Sequence, residues 1–156
     1  MDHLSIVIVH YNTDHETKEC LASLQAVKAT GNFKFNVIVL DNASKEPLKL
    51  KNLPDNHELI RSDSNLGFTG GNNLAIKFAL DKYNSDYVVL LNSDTLVHPD
   101  FLKNLYKTAK DYPRAGLITP KIYFEKGYEF FKDNYSPKDK GKVLWYGGGS
   151  IDWQHL

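Results

Sequence analysis

Leu4-Ser5-Ile6-Val7-Ile8-Val9, running into His10-Tyr11-Asn12-Thr13, is the stretch that decides the architecture. The run is apolar almost throughout, does not alternate and is rich in β-branched side chains. That is the signature of a strand covered on both faces, as in a parallel sheet with helices on each side. Beyond the polar loop, Asp14 can cap a helix whose apolar residues Cys20, Leu21, Leu24 and Val27 recur at helical spacing until Gly31 ends it. Phe35 to Leu40 reads as a second buried strand, ending in Asp41-Asn42-Ala43-Ser44, and His57 to Arg61 as a short third.

The glycine-rich Asn65-Leu66-Gly67-Phe68-Thr69-Gly70-Gly71 then opens a helix with Leu74, Phe78, Ala79 and Tyr83 directed inward, and Tyr87 to Leu91 forms a fourth strand that runs into Asn92-Ser93-Asp94-Thr95. Pro99 suits the first turn of a helix with Phe101, Leu102, Leu105 and Ala109 on one face. Leu117 to Thr119 and Val143 to Tyr146 are expected strands, and Glu125 to Lys142 an exposed excursion or partly mobile loop. Strand, helix, strand, strand, helix, strand, helix is the order of an α/β sandwich with a mostly parallel sheet. In such sheets ligands bind beyond the carboxyl ends of the strands, where the polar clusters at Tyr11-Asn12, Asp41 to Ser44, Asn65 to Asn73 and Asn92 to Asp94 fall.

With 156 residues the chain is expected to be one domain, residues 1–156. Lys plus Arg and Asp plus Glu balance at 19 each, which leaves no field for gathering nucleic acid. The single cysteine, Cys20, excludes an internal disulfide and suits a reducing compartment, and it reads as core packing. No basic leader precedes the first strand and no apolar run nears the ~20 residues of a membrane span, so a cytoplasmic location is expected. The six histidines form no metal constellation.

Each cluster admits a chemical and a plain reading. Asp94, just past a buried strand, can meet Mg²⁺ or Mn²⁺ together with substrate phosphates, or can merely shape a turn with Thr95. Asp41 can accept from a base or ribose hydroxyl, with Asn42 and Ser44 shaping the turn, or the whole can be an Asx-turn. Gly67 to Gly71 brings backbone close to a bulky ligand, and its amides at a helix start suit a diphosphate. Asn65, Asn72 and Asn73 offer donors and acceptors for sugar hydroxyls, and the ring of Tyr11 can stack on a nucleobase or simply line the rim. The loop after the first strand lacks the glycines of a dinucleotide-binding fingerprint and the Gly-Lys-Ser/Thr of a P-loop. Asn92 cannot serve as an aspartyl nucleophile.

Taken in order, Ser5 to Val9 with Tyr11-Asn12, Val39-Leu40-Asp41-Asn42-Ala43-Ser44, Asn65-Leu66-Gly67-Phe68 to Gly70-Gly71-Asn72-Asn73, and Leu90-Leu91-Asn92-Ser93-Asp94 resemble the family-two inverting glycosyltransferases, most closely the rhamnosyltransferase-like branch. The resemblance implies a GT-A, Rossmann-like three-layer sandwich, truncated at the acceptor side. It implies inverting transfer of a sugar from a nucleoside diphosphate donor, dTDP- or UDP-linked, to a glycan or lipid-linked acceptor. It places Tyr11, Asn12, Asp41, Asn42, Ser44, Asn65, Gly67, Gly71, Asn72, Asn92 and Ser93 at the nucleotide sugar and Asp94 on the metal. Asn92 stands where the family has the first aspartate of Asp-x-Asp, and Asn72 where many relatives have arginine.

The family's general base falls beyond the position of Leu156, so the chain is expected to be the donor-binding part of an enzyme of surface polysaccharide synthesis, peripheral at the inner face of the membrane. Asp152 is not assigned as base. The alternative is a non-catalytic sugar-nucleotide-binding or interaction module.

Overall fold

The computed structural model describes residues 1–29 and 32–149. The chain divides into two compact units, Met1–Lys103 and Asn104–Leu156.

The first unit is built on a four-stranded, all-parallel sheet. Its strands are β1 (Asp2–His10), β2 (Phe33–Asp41), β3 (His57–Arg61) and β4 (Tyr87–Leu90), in the order β3-β2-β1-β4. β1 and β2 pair over their whole length, Asp2 with Phe33 through His10 with Asp41, and both are buried on both faces. Alternation of side chains separates those faces. Val7, Ile38 and Leu40 pack with Ala75 and Ala79 of α2 (Gly67–Tyr83), whereas His10, an odd number of residues from Val7, points the other way and bonds Thr17 of α1 (Asp14–Leu24). Helix, sheet and helix thus make the three layers expected.

Several expectations shift. Asp14 is the first helical residue, not the cap; Thr13 holds the cap position without a side-chain cap bond. Helix α1 stops at Leu24, where Gln25 N–H bonds Ala22 O; Val27 is buried outside the helix, and Gly31 lies outside the described residues. In α2 the inward stripe is Gly71, Ala75 and Ala79, with Phe78 and Tyr83 packed partly against the core, while Leu74 is 38% exposed. Small residues four apart let the helix lie close over β1, which a Leu in the stripe would prevent.

Helix α3 (Phe101–Asp111) spans the division between the units and buries Leu102. In the second unit no strand forms at Leu117 to Thr119. The pairing falls instead on β5 (Ile122–Tyr123), antiparallel to β6 (Leu144–Tyr146). The segment between them is more organised than a loose excursion. Lys132–Asn134 makes a 3₁₀ turn, and the Glu129 carboxylate accepts the backbone N–H groups of Gly127, at 2.8 Å, and Gly141. Burial works against the charged form of Glu129, but these bonds and Lys140 outweigh it and hold the acid below its usual range. Ser150 to Trp153, with Asp152, lie outside the described residues.

Candidate functional site

β1 has β2 on one side and β4 on the other: the chain winds outward from β1 through β2 to β3, then crosses back by α2 to β4 on the opposite side of β1. At such a switch point the loops splay apart and open a crevice beyond the strand ends. A cleft of ≈ 200 Å³ lies there, lined by Val9 of β1, Phe68 and Asn72 of α2, and Leu91, Asn92, Ser93 and Asp94 after β4. The last ladder bond of β4 runs from Leu91 N–H to Val7 O at 2.9 Å, and the chain then turns, with Thr95 N–H on Asn92 O at 3.2 Å. Asp94 occupies the third position of this turn, exposed, and its carboxylate has no hydrogen-bond or ion-pair partner among the described residues. The turn reading and the ligand reading are therefore compatible: the turn presents the carboxylate.

On the opposite wall α2 begins at Gly67, whose φ of +68° is a conformation that glycine adopts without penalty. The N-cap residue Leu66 makes no side-chain cap bond and the first turn holds no acidic residue, so no side-chain charge offsets the positive end of the helix dipole there. Gly71 is required for proximity: a Cβ there would lie 3.0 Å from Val9 Cγ1 and 3.3 Å from Asn42 Nδ2. Asn72 spends its amide on Phe68 O at 2.9 Å and is almost wholly buried. Phe68, 67% exposed, is a cleft wall that sequence reasoning did not single out.

The remaining candidates hold the loops in place and do not line this cleft. Asn42, 2% exposed, donates to Asn65 Oδ1 at 3.0 Å and Gly67 O at 3.2 Å, and accepts from Ser62 Oγ at 3.2 Å and Leu66 N–H at 3.0 Å. One buried amide thus pins the whole entry to α2. Asn65 Oδ1 also takes Gly67 N–H at 2.8 Å. Asn12 and Ser44 tie the loops after β1 and β2: Asn12 N–H donates to Ser44 Oγ at 3.0 Å, and Lys45 N–H to Asn12 Oδ1 at 2.9 Å. Tyr11, in the loop after β1, is 46% exposed.

Asp41 departs most from the ligand reading. It is 2% exposed, and its carboxylate accepts Ser44 N–H at 2.9 Å, Leu48 N–H at 3.0 Å and the guanidinium of Arg61. Burial alone would raise this acid, but the Leu48 and Ser44 amides and Arg61 outweigh it and hold it below the usual carboxylate range. Arg61 also donates to Ser44 O at 2.9 Å. Its only trace in the sequence was its place at the end of a strand.

On the α1 side His10 is fully buried, with Nδ1 2.8 Å from Thr17 Oγ1. Nε2 lies 3.4 Å from the Asp14 carboxylate but outside hydrogen-bond geometry, which makes that contact electrostatic at most. Burial lowers its pKa against the pull of Asp41 and Asp14, so the ring is neutral near pH 7. Among the described residues no group of three or more His, Cys, Asp or Glu side chains could enclose a metal. What the cleft offers is one free carboxylate flanked by amide and hydroxyl groups. That set fits a hard divalent cation which keeps its waters and completes its shell on substrate phosphates, and does not fit an all-protein cage.

The sequence profile of Glycosyl transferase family 2 matches residues 5–155. The low-salt glycan biosynthesis hexosyltransferase Agl10 of Haloferax volcanii is 30% identical over 144 residues, 92% of this chain and 43% of that protein. Among solved structures, S. aureus TarS 1–349 in complex with UDP-GlcNAc superposes with a TM-score of 0.57 at 19% identity, over 81% of this chain and 39% of that one. The complex of the same protein with UDP gives 0.57 at 19% identity, over 81% and 40%. The chain therefore spans less than half the length of each of these relatives, and the structural likeness, at this identity, concerns the GT-A fold alone.

Proposed function

The chain belongs to glycosyl transferase family 2, and we propose that it is the donor-binding part of an inverting transferase that moves a sugar from a UDP- or dTDP-linked donor to a glycan or lipid-linked hydroxyl. The observation that carries this reading is the switch-point cleft, which the free carboxylate of Asp94 lines together with Asn92, Ser93 and the first turns of α2 at Phe68 and Asn72. A nucleoside diphosphate sugar has the complementary parts. Its diphosphate suits the α2 amides and a cation at Asp94. Its sugar hydroxyls suit Asn72, Asn73 and Asn92, and its base suits the exposed ring of Tyr11. Asp41, Asn42, Ser44 and Asn65 act in this reading by fixing the loops. The names of the relatives support a sugar donor: one is a hexosyltransferase, and another was solved with UDP-GlcNAc and with UDP.

Mg²⁺ or Mn²⁺, held by Asp94, would supply charge neutralisation for the departing nucleoside diphosphate. Inversion requires the acceptor hydroxyl to attack from the face opposite that leaving group while a base removes its proton. Among the described residues Asp94 is the only carboxylate lining the cleft, and in this reading it serves the cation and not the base. We place the reaction in surface polysaccharide synthesis at the cytoplasmic face of a membrane, in line with the glycan biosynthesis of the Haloferax relative. Among the described residues no helix is long and apolar enough to cross that membrane.

A thermal-shift titration with UDP, dTDP and GDP, with and without Mn²⁺, tests the reading. A ligand at about 100 times its Kd adds about 2.7 kcal/mol, several degrees for a domain of this size. The expected result is a Mn²⁺-dependent shift with one nucleotide that Asp94→Ala abolishes. Absence of any nucleotide shift in the unmodified chain would overturn it.

A further inference from the structure

The turn that presents Asp94 is held from beneath by residues some seventy to eighty positions earlier in the chain. Cys20 Sγ–H donates to Asn92 O at 3.7 Å, the same carbonyl that closes the turn by accepting Thr95 N–H. Ser23 Oγ donates to Cys20 O at 2.7 Å and accepts Val97 N–H at 3.2 Å. Thr13 Oγ1 lies 3.4 Å from Ser93 Oγ. These contacts fall before, beside and after Asp94, in a segment that has left the sheet ladder at Leu91 and has no regular structure of its own.

The latch is dry where it matters most. Cys20 is completely buried, and burial, helped by the Asp94 charge, pushes its thiol up to about 12, so it is present as an S–H donor at neutral pH. Asp94, exposed and without a partner of its own, takes its position entirely from the backbone of this turn.

We propose that Thr13 and helix α1 are the positioning element of the Asp94 turn, with Thr13, Cys20 and Ser23 setting the affinity for a divalent cation and nucleoside diphosphate without touching either. This rests on the reading of Asp94 as the cation-binding carboxylate. A cation whose protein share is a single carboxylate has no second ligand to correct a misplaced first one, so looseness in the turn passes directly into affinity. The sequence shows nothing of this, since the partners are a core cysteine and a helix-surface serine.

The test is Mn²⁺ binding to the chain in the presence of UDP, followed by the electron paramagnetic resonance signal of free Mn²⁺, alongside UDP binding without metal. Ser23→Ala, Cys20→Ala and their double variant are compared with Ser23→Thr and Cys20→Ser, which keep a donor or acceptor at the same place. The expected result is a loss of about threefold to tenfold in Mn²⁺-UDP affinity for each Ala variant, larger in the double. Metal-free UDP binding stays unchanged, and the two conservative variants restore most of the loss. Two outcomes overturn the proposal: unchanged Mn²⁺-UDP affinity in folded Ala variants, or an equal loss with and without metal, which would mark general destabilisation. If the unmodified chain binds UDP with no dependence on Mn²⁺, the cation reading of Asp94 fails first and the proposal with it.

Discussion

Replacing Asp41 by alanine separates a ligand residue from a structural one, and the structure sets the size of the effect. Its carboxylate accepts two backbone N–H groups, Ser44 at 2.9 Å and Leu48 at 3.0 Å, belonging to residues that are 2% and 4% exposed. Truncation strands both donors away from water, at about 1–3 kcal/mol each. The third partner, Arg61, has a side chain 41% exposed, so its guanidinium rehydrates and the lost ion pair counts for no more than about 1 kcal/mol. The expected loss is about 3 kcal/mol. With a urea slope near 2 kcal/mol/M, the unfolding midpoint falls by about 1.5 M. Asp41→Asn, which keeps one acceptor oxygen but turns an NH₂ toward a remaining donor, loses about half as much or somewhat more. Urea unfolding followed by circular dichroism, with UDP binding measured below the transition, reads both quantities. A midpoint change under about 0.3 M together with abolished UDP binding would refute the structural assignment and return Asp41 to the ligand.

Gly71→Ala adds a Cβ that must displace Val9 or the Asn42 amide. Overpacking of about 1–3 kcal/mol outweighs the roughly 1 kcal/mol gained in helix propensity, so net destabilisation in urea is expected and a stabilised variant would contradict the packing. His10 and His57 are both held below the ordinary histidine range by burial. The unfolded chain therefore takes up protons near pH 6.5 that the folded chain refuses, and stability falls as pH drops below that value, by up to about 1.4 kcal/mol per pH unit for each ring. Urea midpoints between pH 7.5 and 5 should show this slope, and His10→Gln should make it shallower; a flat profile would mean that the rings are protonated in the fold. Asp41, lowered, adds stability above the unfolded carboxylate range that is lost only at more acid pH. The Cys20 thiol, raised to about 12, should resist iodoacetamide at pH 8 in the folded protein and react in denaturing urea; labelling at equal rates in both would contradict its burial.

The sheet and the family were legible in the order of the amino acids alone. Leu4 to Val9 and Phe35 to Leu40 are apolar at nearly every position because both their faces are covered, and that pattern is written locally. The ordered loops at the strand ends are equally local, which is why the sequence already puts Asn92-Ser93-Asp94 and the start of α2 at the same end of the sheet, where they line one cleft. Local reading failed where two segments compete for one place. Ala75 fills the inward stripe of α2 in preference to Leu74 because the distance to β1, not hydrophobicity, selects the residue.

Which polar residues are free depends on the packed fold and is not written locally. Asp41 and Asp94 look alike in the sequence, each an acid just past a buried strand. Parallel pairing brings Arg61 alongside Asp41 and the 44–48 loop folds its amides onto it, while β4, at the sheet edge, leaves Asp94 without a neighbour to consume it. A carboxylate's role is set by the donors that reach it, and those donors come from segments that the chain places far away.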